Sequence, residues 1–126
     1  MTTEQGVGTL RSVVLDCPDP RALADFYGHL LGARVVSDEE DWVVLADASG
    51  RRIAFQTAPN YEPPEFPDTK GSQQIHFDVL VDDIEVAQPR ALALGAELIQ
   101  AETDGAFRVY RDPVGHTFCL VWLPES

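Results

Sequence analysis

The sequence predicts an α+β fold built from two βαβββ modules, and three observations predict it. The first is a doubled unit. Ser12-Val-Val-Leu-Asp recurs as His76-Phe-Asp-Val-Leu at an offset of 64 residues, Gly32-Ala-Arg-Val-Val as Gly95-Ala-Glu-Leu-Ile at 63, and Asp47-Ala-Ser-Gly50 as Asp112-Pro-Val-Gly115 at 65. Two copies make a pseudo-symmetric domain rather than a solenoid. The second is the order of periodicities in each copy: one strand pattern, one helix pattern, then three strand patterns. The third is length, since a chain of 126 residues supports a single hydrophobic core, so each copy is half of one fold.

Residues 10–16 are β-branched and apolar enough for the first strand, which Cys17-Pro18-Asp19-Pro20 stops. Asp19 caps the helix that follows and Pro20 suits its first turn. Leu23, Phe26, Tyr27, Leu30 and Leu31 recur at helical spacing before Gly32 closes it. Short strands follow at 34–37, 42–46 and 52–57, separated by the acidic turn at Asp38 to Asp41 and by the Asp47-Ala-Ser-Gly50 turn. Residues 10–57 thus form module one.

From Ala58 to Gln73 the periodicity vanishes, and Pro59, Pro63, Pro64 and Pro67 fall within this stretch. So many prolines make a semi-rigid, extended linker able to cross between modules as a strap. Module two, 74–123, repeats the order: a strand at 74–81, Asp82 or Asp83 as helix cap, a helix to Leu94 stopped by Gly95, and strands near 97–100, 107–111 and 117–122. Pro89 falls inside the second helix, where a missing backbone donor and a clash with the preceding turn predict a kink or a delayed start.

Alternation assigns the faces of the strands. Arg52, Ala54 and Gln56 oppose Ile53 and Phe55; His76 and Asp78 oppose Ile75, Phe77 and Val79; Thr117, Cys119 and Val121 oppose Phe118, Leu120 and Trp122. The bulky apolar face carries the helix of its module, and the smaller, more polar face lines the space between the sheets.

Composition narrows the function classes. A formal charge of −12, from 21 acidic against 9 basic side chains, repels polyanions and counts against nucleic acid; it suits a cationic ligand, or simply keeps the surface soluble. No apolar run approaches the roughly 18 residues of a membrane span. Nothing at the N-terminus resembles a secretion signal, so the expected compartment is the cytoplasm, with Cys17 and Cys119 as reduced thiols.

The paired βαβββ order, the acid-proline helix start, Phe26-Tyr27 in the first helix and Asp112-Pro-Val-Gly-His116 before the last strand resemble the vicinal oxygen chelate superfamily. That group includes glyoxalase I, the bleomycin resistance proteins and the extradiol dioxygenases. The resemblance runs from Leu10 to Leu123 and implies a cleft between the modules, a small-molecule ligand and a homodimer. It leaves open whether the modules pair within one chain or exchange between two. It also implies metal ligands at four inward positions in those members that use a metal. Those positions here carry Ser12, His76, Cys119 and either Ala54 or Gln56, so the carboxylates are gone and only His76 is a usual ligand. The expectation is a protein with no cofactor, a divalent metal being the less favoured case.

The expected ligand-binding set is therefore Ser12, Trp42, Arg52, Ala54, Gln56, His76, Asp78 and Cys119. Trp42, Tyr61 and Phe66 either rim the cleft mouth, where planar rings favour flat or cationic organic ligands, or seal the core edge or a dimer interface. His76 beside Asp78 is either a core histidine or a pocket group. Asp16 and Asp78 form a conceivable acid-base pair, Cys119 a conceivable nucleophile, and His116 and His29 are assigned structural places. Three functions follow: a metal-free binder of a small planar or cationic molecule; a lyase, isomerase or dioxygenase with His76 as best catalytic candidate, aided by Gln56 and Arg52; or a partner-binding module with a vestigial pocket.

Overall fold

A computed structural model of the chain describes residues 6–64, 75–101, 103 and 105–123. Module one contains β1 (Val13–Cys17), α1 (Pro20–Leu31), β2 (Arg34–Glu39), β3 (Trp42–Ala46) and β4 (Arg52–Thr57). Module two contains β5 (Phe77–Leu80), α2 (Ile84–Leu94), β6 (Glu97–Gln100), β7 (Phe107–Arg111) and β8 (Thr117–Val121). Each forms a four-stranded sheet, ordered β1-β4-β3-β2 and β5-β8-β7-β6, with one parallel pair and two antiparallel pairs. The doubled sequence is thus a doubled topology. Even the irregularities repeat: the ladder shifts register between Val35 and Ser37 in β2 and between Leu98 and Gln100 in β6. A bulge at the same place in both edge strands bends each sheet in the same way.

Both helices start as their caps require. The Asp19 carboxylate accepts from the backbone N–H of Arg21 and Ala22, at 3.2 and 3.4 Å, with Pro20 as the first helical residue. Asp83, rather than Asp82, caps α2 and accepts from the Glu85 N–H at 2.9 Å. Pro89 does not delay α2, which begins directly after its cap and runs through the proline; an exposed ring, with its side chain away from the core, lets the helix continue. The first strand starts three residues later than expected, at Val13, and β5 starts at Phe77, which leaves His76 just ahead of its strand.

The apolar faces behave as alternation requires. Leu15, Val43, Leu45 and Phe55 of the first sheet join Tyr110, Phe118 and Leu120 of the second in one core. The helices contribute unequally: α1 buries Leu23, Ala24, Phe26 and Tyr27, whereas α2 buries only Ala91. Tyr27 is the hub. Its ring stacks on Phe55 at 5.7 Å and meets Phe77 and Phe118 edge-on at 5.8 and 6.5 Å, while Phe26 lies 6.0 Å from Phe118. A helix of module one therefore supplies core to both sheets, and the modules meet within one chain along a seam beside β1 and β5.

Three polar clamps close that seam. Tyr27 donates to Asp112 Oδ2 at 2.6 Å in a buried bond; Asp112 Oδ1 accepts from the N–H groups of Val114 and His116, so this carboxylate organises the turn before β8 as well. His116 Nε2 donates to the Asp16 carbonyl at 2.7 Å. Tyr61 donates to the Val114 carbonyl at 3.0 Å and packs its ring on His116 at 5.5 Å. Tyr61 is thus a strap that fastens the start of the linker to module two. Phe66 and residues 65–73 of the linker lie outside the described residues.

Candidate functional site

At one end of the seam lies a cavity of about 430 Å³. Its walls come from Leu10, Arg11 and Ser12 ahead of β1, from the Asp47 to Gly50 turn and the start of β4, and from Phe77, Asp78 and Val79 of β5. The turn has a local cause. Asp47 Oδ1 accepts from the N–H groups of Ser49 and Arg51, both at 2.9 Å, and the Asp47 carbonyl accepts from Gly50 N–H. This folds the chain back so that Arg51 and Arg52 enter β4 at the cavity wall. Arg51 turns to Asp47, 3.4 Å from Nε to Oδ2, and to Ser49 Oγ. Arg52 Nε is buried with no hydrogen-bond partner among the described residues. An orphaned buried donor of this kind is uncommon in folded proteins.

A second feature adjoins it. The Nε2 of His76 lies 3.3 Å from Asp78 Oδ1, and one donor atom each of His76, Asp78 and Cys119 lie within 4.8 Å of one another. The sheet builds this cluster directly: Asp78 faces Cys119 across the parallel β5–β8 ladder, and His76, two residues before Asp78, shares its side. Cys119 is 6% exposed. Burial, then the charge of Asp78, pushes its thiol up to about 11. A thiol held protonated is a weaker nucleophile near neutrality than a thiolate.

The cluster passes a donor-set test for one kind of metal. Tetrahedral zinc with imidazole, carboxylate and thiolate ligands separates its donors by about 3.3–3.6 Å; the His76–Asp78 pair at 3.3 Å is already at that spacing, and all three donors lie within 4.8 Å of one another. A borderline-soft ion therefore fits His76, Asp78 and Cys119 with an open position. A hard, oxygen-seeking ion does not, because one donor is sulfur and Ala54 offers none. Grouping the residues by expected ligand position had left Asp78 out; the period-two spacing from His76 was the signal that pairs them.

The expected set is thus divided. Ser12, Arg52 and Asp78 line the seam cavity, whereas His76 and Cys119 join Asp78 in the cluster. Trp42, Gln56, Val44 and Ala54 pair across β3 and β4 on the same face; Ala54 is fully buried, Trp42 half-buried and Gln56 exposed, and none borders the cavity. No hydrogen bond or ion pair among the described residues joins Asp16 to Asp78; the Asp78 carboxylate faces His76. Arg11 and the Asp47 to Gly50 turn were not in the expected set. Sequence reading missed them because Arg11 alternates with Ser12 onto the other side of the expected strand and the Asp47 to Gly50 stretch reads only as a turn between strands; the β1–β4 pairing that brings the two segments to one cavity is a property of the fold.

Comparison with known proteins places this geometry. Residues 12–121 match the family model described as a glyoxalase-like domain. Among solved structures, a glyoxalase/bleomycin resistance protein/dioxygenase family enzyme from Burkholderia phytofirmans is 24% identical with a TM-score of 0.71, covering 90% of this chain and 98% of its own. A fosfomycin resistance protein from Listeria monocytogenes is 15% identical with a TM-score of 0.69 over 94% of this chain and 96% of its own. A mutant of that resistance protein has been solved with manganese(II) and dihydroxypropylphosphonic acid. A glyoxalase-related enzyme from Fulvimarina pelagi is 19% identical, TM-score 0.70, covering 94% and 90%. A search of curated proteins returned no significant match. At these identities the structural likenesses establish the fold, while the family model spans nearly the whole doubled unit: the chain belongs to the glyoxalase-like domain family, within the vicinal oxygen chelate fold.

Proposed function

We propose that this protein binds a small organic molecule in the seam cavity between its two modules, and that binding needs no metal. The observation that carries the reading is the cavity itself: about 430 Å³, within the range of small-molecule sites of roughly 300–1,000 Å³. Its walls are mainly apolar, from Leu10, Val13, Leu45, Ile53, Phe77 and Val79, with a few convergent polar groups. Such a composition pairs a desolvating body with orienting contacts. A thermal-shift panel of small aromatic acids, amides and amines tests it, because a ligand that prefers the folded state raises the melting temperature. The expected result is a shift with wild type that disappears when Ile53→Trp fills the cavity. No shift from any class, together with unchanged stability of Ile53→Trp, would sink the reading.

A second reading is favoured by the His76–Asp78–Cys119 cluster. A zinc-like ion held by these three residues would supply Lewis-acid chemistry next to the cavity wall that Asp78 shares. In that reading the chain is an enzyme, with His76 and Asp78 fixing the site by their mutual contact and Cys119 the anchoring thiolate. Cobalt(II) titration tests it by the thiolate-to-cobalt absorption band, which should appear at one equivalent and vanish in Cys119→Ser. Absence of the band in a folded, reduced protein leaves the metal-free reading alone.

We also propose a homodimer. Val14 and Leu80, 41% and 61% exposed on the edge strands β1 and β5, supply apolar surface that a second copy would cover. Sedimentation should give a dimer that Leu80→Glu weakens; a wild-type monomer at high micromolar concentration refutes it.

A further inference from the structure

We infer that the seam cavity selects organic anions: molecules with a carboxylate, phosphonate or phosphate group on a compact apolar body. This rests on the cavity being a ligand site and specifies its chemistry. The chain carries a net charge of −12 with only nine basic residues, yet three of them, Arg11, Arg51 and Arg52, line this one cavity. Its two acids are already engaged. Asp47 holds its own turn and Arg51, and Asp78 faces His76.

The arginines are not equivalent. Arg51 is committed to Asp47 and Ser49, whereas no ion pair or hydrogen bond engages Arg11 or the buried Arg52 Nε among the described residues. A buried guanidinium donor without an acceptor is costly, and an anion's oxygens provide that acceptor. Guanidinium also presents paired N–H groups that match the two oxygens of a carboxylate or phosphonate, which a lysine would not. The same cavity is lined by Val13, Ile53, Phe77 and Val79, apolar surface for the body of such a ligand. The local charge thus runs against the cationic ligand that the whole-chain charge suggests, because long-range potential is set by scattered surface acids and the contact by the groups lining the wall.

The test is titration of four probes of similar size, phenylphosphonate, benzoate, benzamide and benzamidinium, followed by NMR shifts of Ile53, Phe77 and Val79 at low salt. Both anions should bind at least about tenfold more tightly than benzamide, with affinity falling as salt is added. Arg52→Gln should bring the anions down to the level of benzamide and leave benzamide unchanged, and Arg52→Lys should recover only part of the loss. Should Arg52→Gln fail to fold, the exposed Arg11→Gln carries the same comparison. The relative strength of benzoate and phenylphosphonate identifies which acid group the site prefers. Benzamide or benzamidinium binding as well as the anions overturns the inference and leaves the cavity as a ligand site. No shift at these residues from any of the four probes overturns both.

Discussion

At the residue scale the seam depends on a few buried polar contacts. Tyr27 is fully buried and its hydroxyl goes to Asp112, itself 4% exposed. Burial first, then the Asp112 charge, drives the phenol well above its ordinary range, so it stays a donor. Tyr27→Phe keeps the ring contacts and removes the donor, and should cost about 1–3 kcal/mol in urea unfolding; a loss below the error of the method would show that this bond is not what holds the turn. Gly115 is a second such point. Its φ is +99°, and a Cβ there would lie 2.5 Å from Pro63 Cβ. Gly115→Ala should therefore destabilise by about 1–3 kcal/mol from backbone strain alone, and dislodge the Tyr61 strap besides. The thiols give a pH signature. Burial is the main cause that pushes both Cys17 and Cys119 from the ordinary 9.0 up to about 11. Between these values the unfolded chain releases protons that the native state retains. Stability is thus flat below about pH 9 and falls as pH rises toward about 11. Urea unfolding in reducing buffer should show this fall, and the Cys17→Ala, Cys119→Ala double variant should move its onset from about pH 9 to about pH 10, where the raised phenols of Tyr27, Tyr61 and Tyr110 take over with the same sign. Little of this was legible in the sequence: Asp112 and Gly115 were visible as a turn, but their partners Tyr27 and Pro63 lie 85 and 52 residues away, and only the fold brings them together.

At the scale of elements, local signals were strong enough to place nearly everything. Asp19-Pro20 and Gly32 bound α1 because caps act through neighbouring backbone groups, and alternation in β4 and β8 picked out the apolar face that joins the core, Ile53, Phe55, Phe118 and Leu120. Yet it is Val13, Leu45 and Ile53 of the helix-bearing face, with Arg52 alone of the opposite positions of β4, that line the cavity, because the cavity opens at the end of the sheet beside α1. Errors fell where a strand end is decided by pairing rather than propensity. Leu10 to Ser12 are carried into the expected strand by the β-branched Val13 and Val14 that follow them, yet the register with β4 begins at Val13 opposite Ile53, so the segment before it becomes cavity wall. His76 likewise falls outside β5, whose pairing with β8 begins at Phe77. The second helix shows the opposite case, a local signal overridden by context. Pro89 forfeits the donor that would bond the Glu85 carbonyl, but the helix is capped at both ends and continues through it. Because Pro89 is exposed and α2 buries only Ala91, Pro89→Ala restores the bond at no packing cost. It should raise the melting temperature, by up to the roughly 3 kcal/mol an interior proline forfeits; an unchanged or lower value would mean that the proline sets a bend the fold uses.

At the scale of the whole molecule, duplication and asymmetry have to be reconciled. The topology, caps and bulges repeat, which makes each module look like an independent unit. The core does not repeat: Phe26 and Tyr27 of α1 reach across to Phe77 and Phe118, while α2 buries a single alanine. The aromatic core of module two, Phe77, Tyr110 and Phe118, is thus completed by Phe26 and Tyr27 of module one, and the seam is continuous with the interior rather than a contact between finished domains. Unfolding either module alone would expose Tyr27, Phe77 and Phe118 together and strand Asp112 without its phenol, so no half-folded state is stable. Calorimetry should accordingly show one transition with equal calorimetric and van't Hoff enthalpies. Tyr27→Ala should lower that single transition rather than split it, since the lost ring belongs to both sheets. Two resolved transitions in the wild type would mean that the modules are coupled only through the strap and the polar clamps, and not through the shared aromatic core.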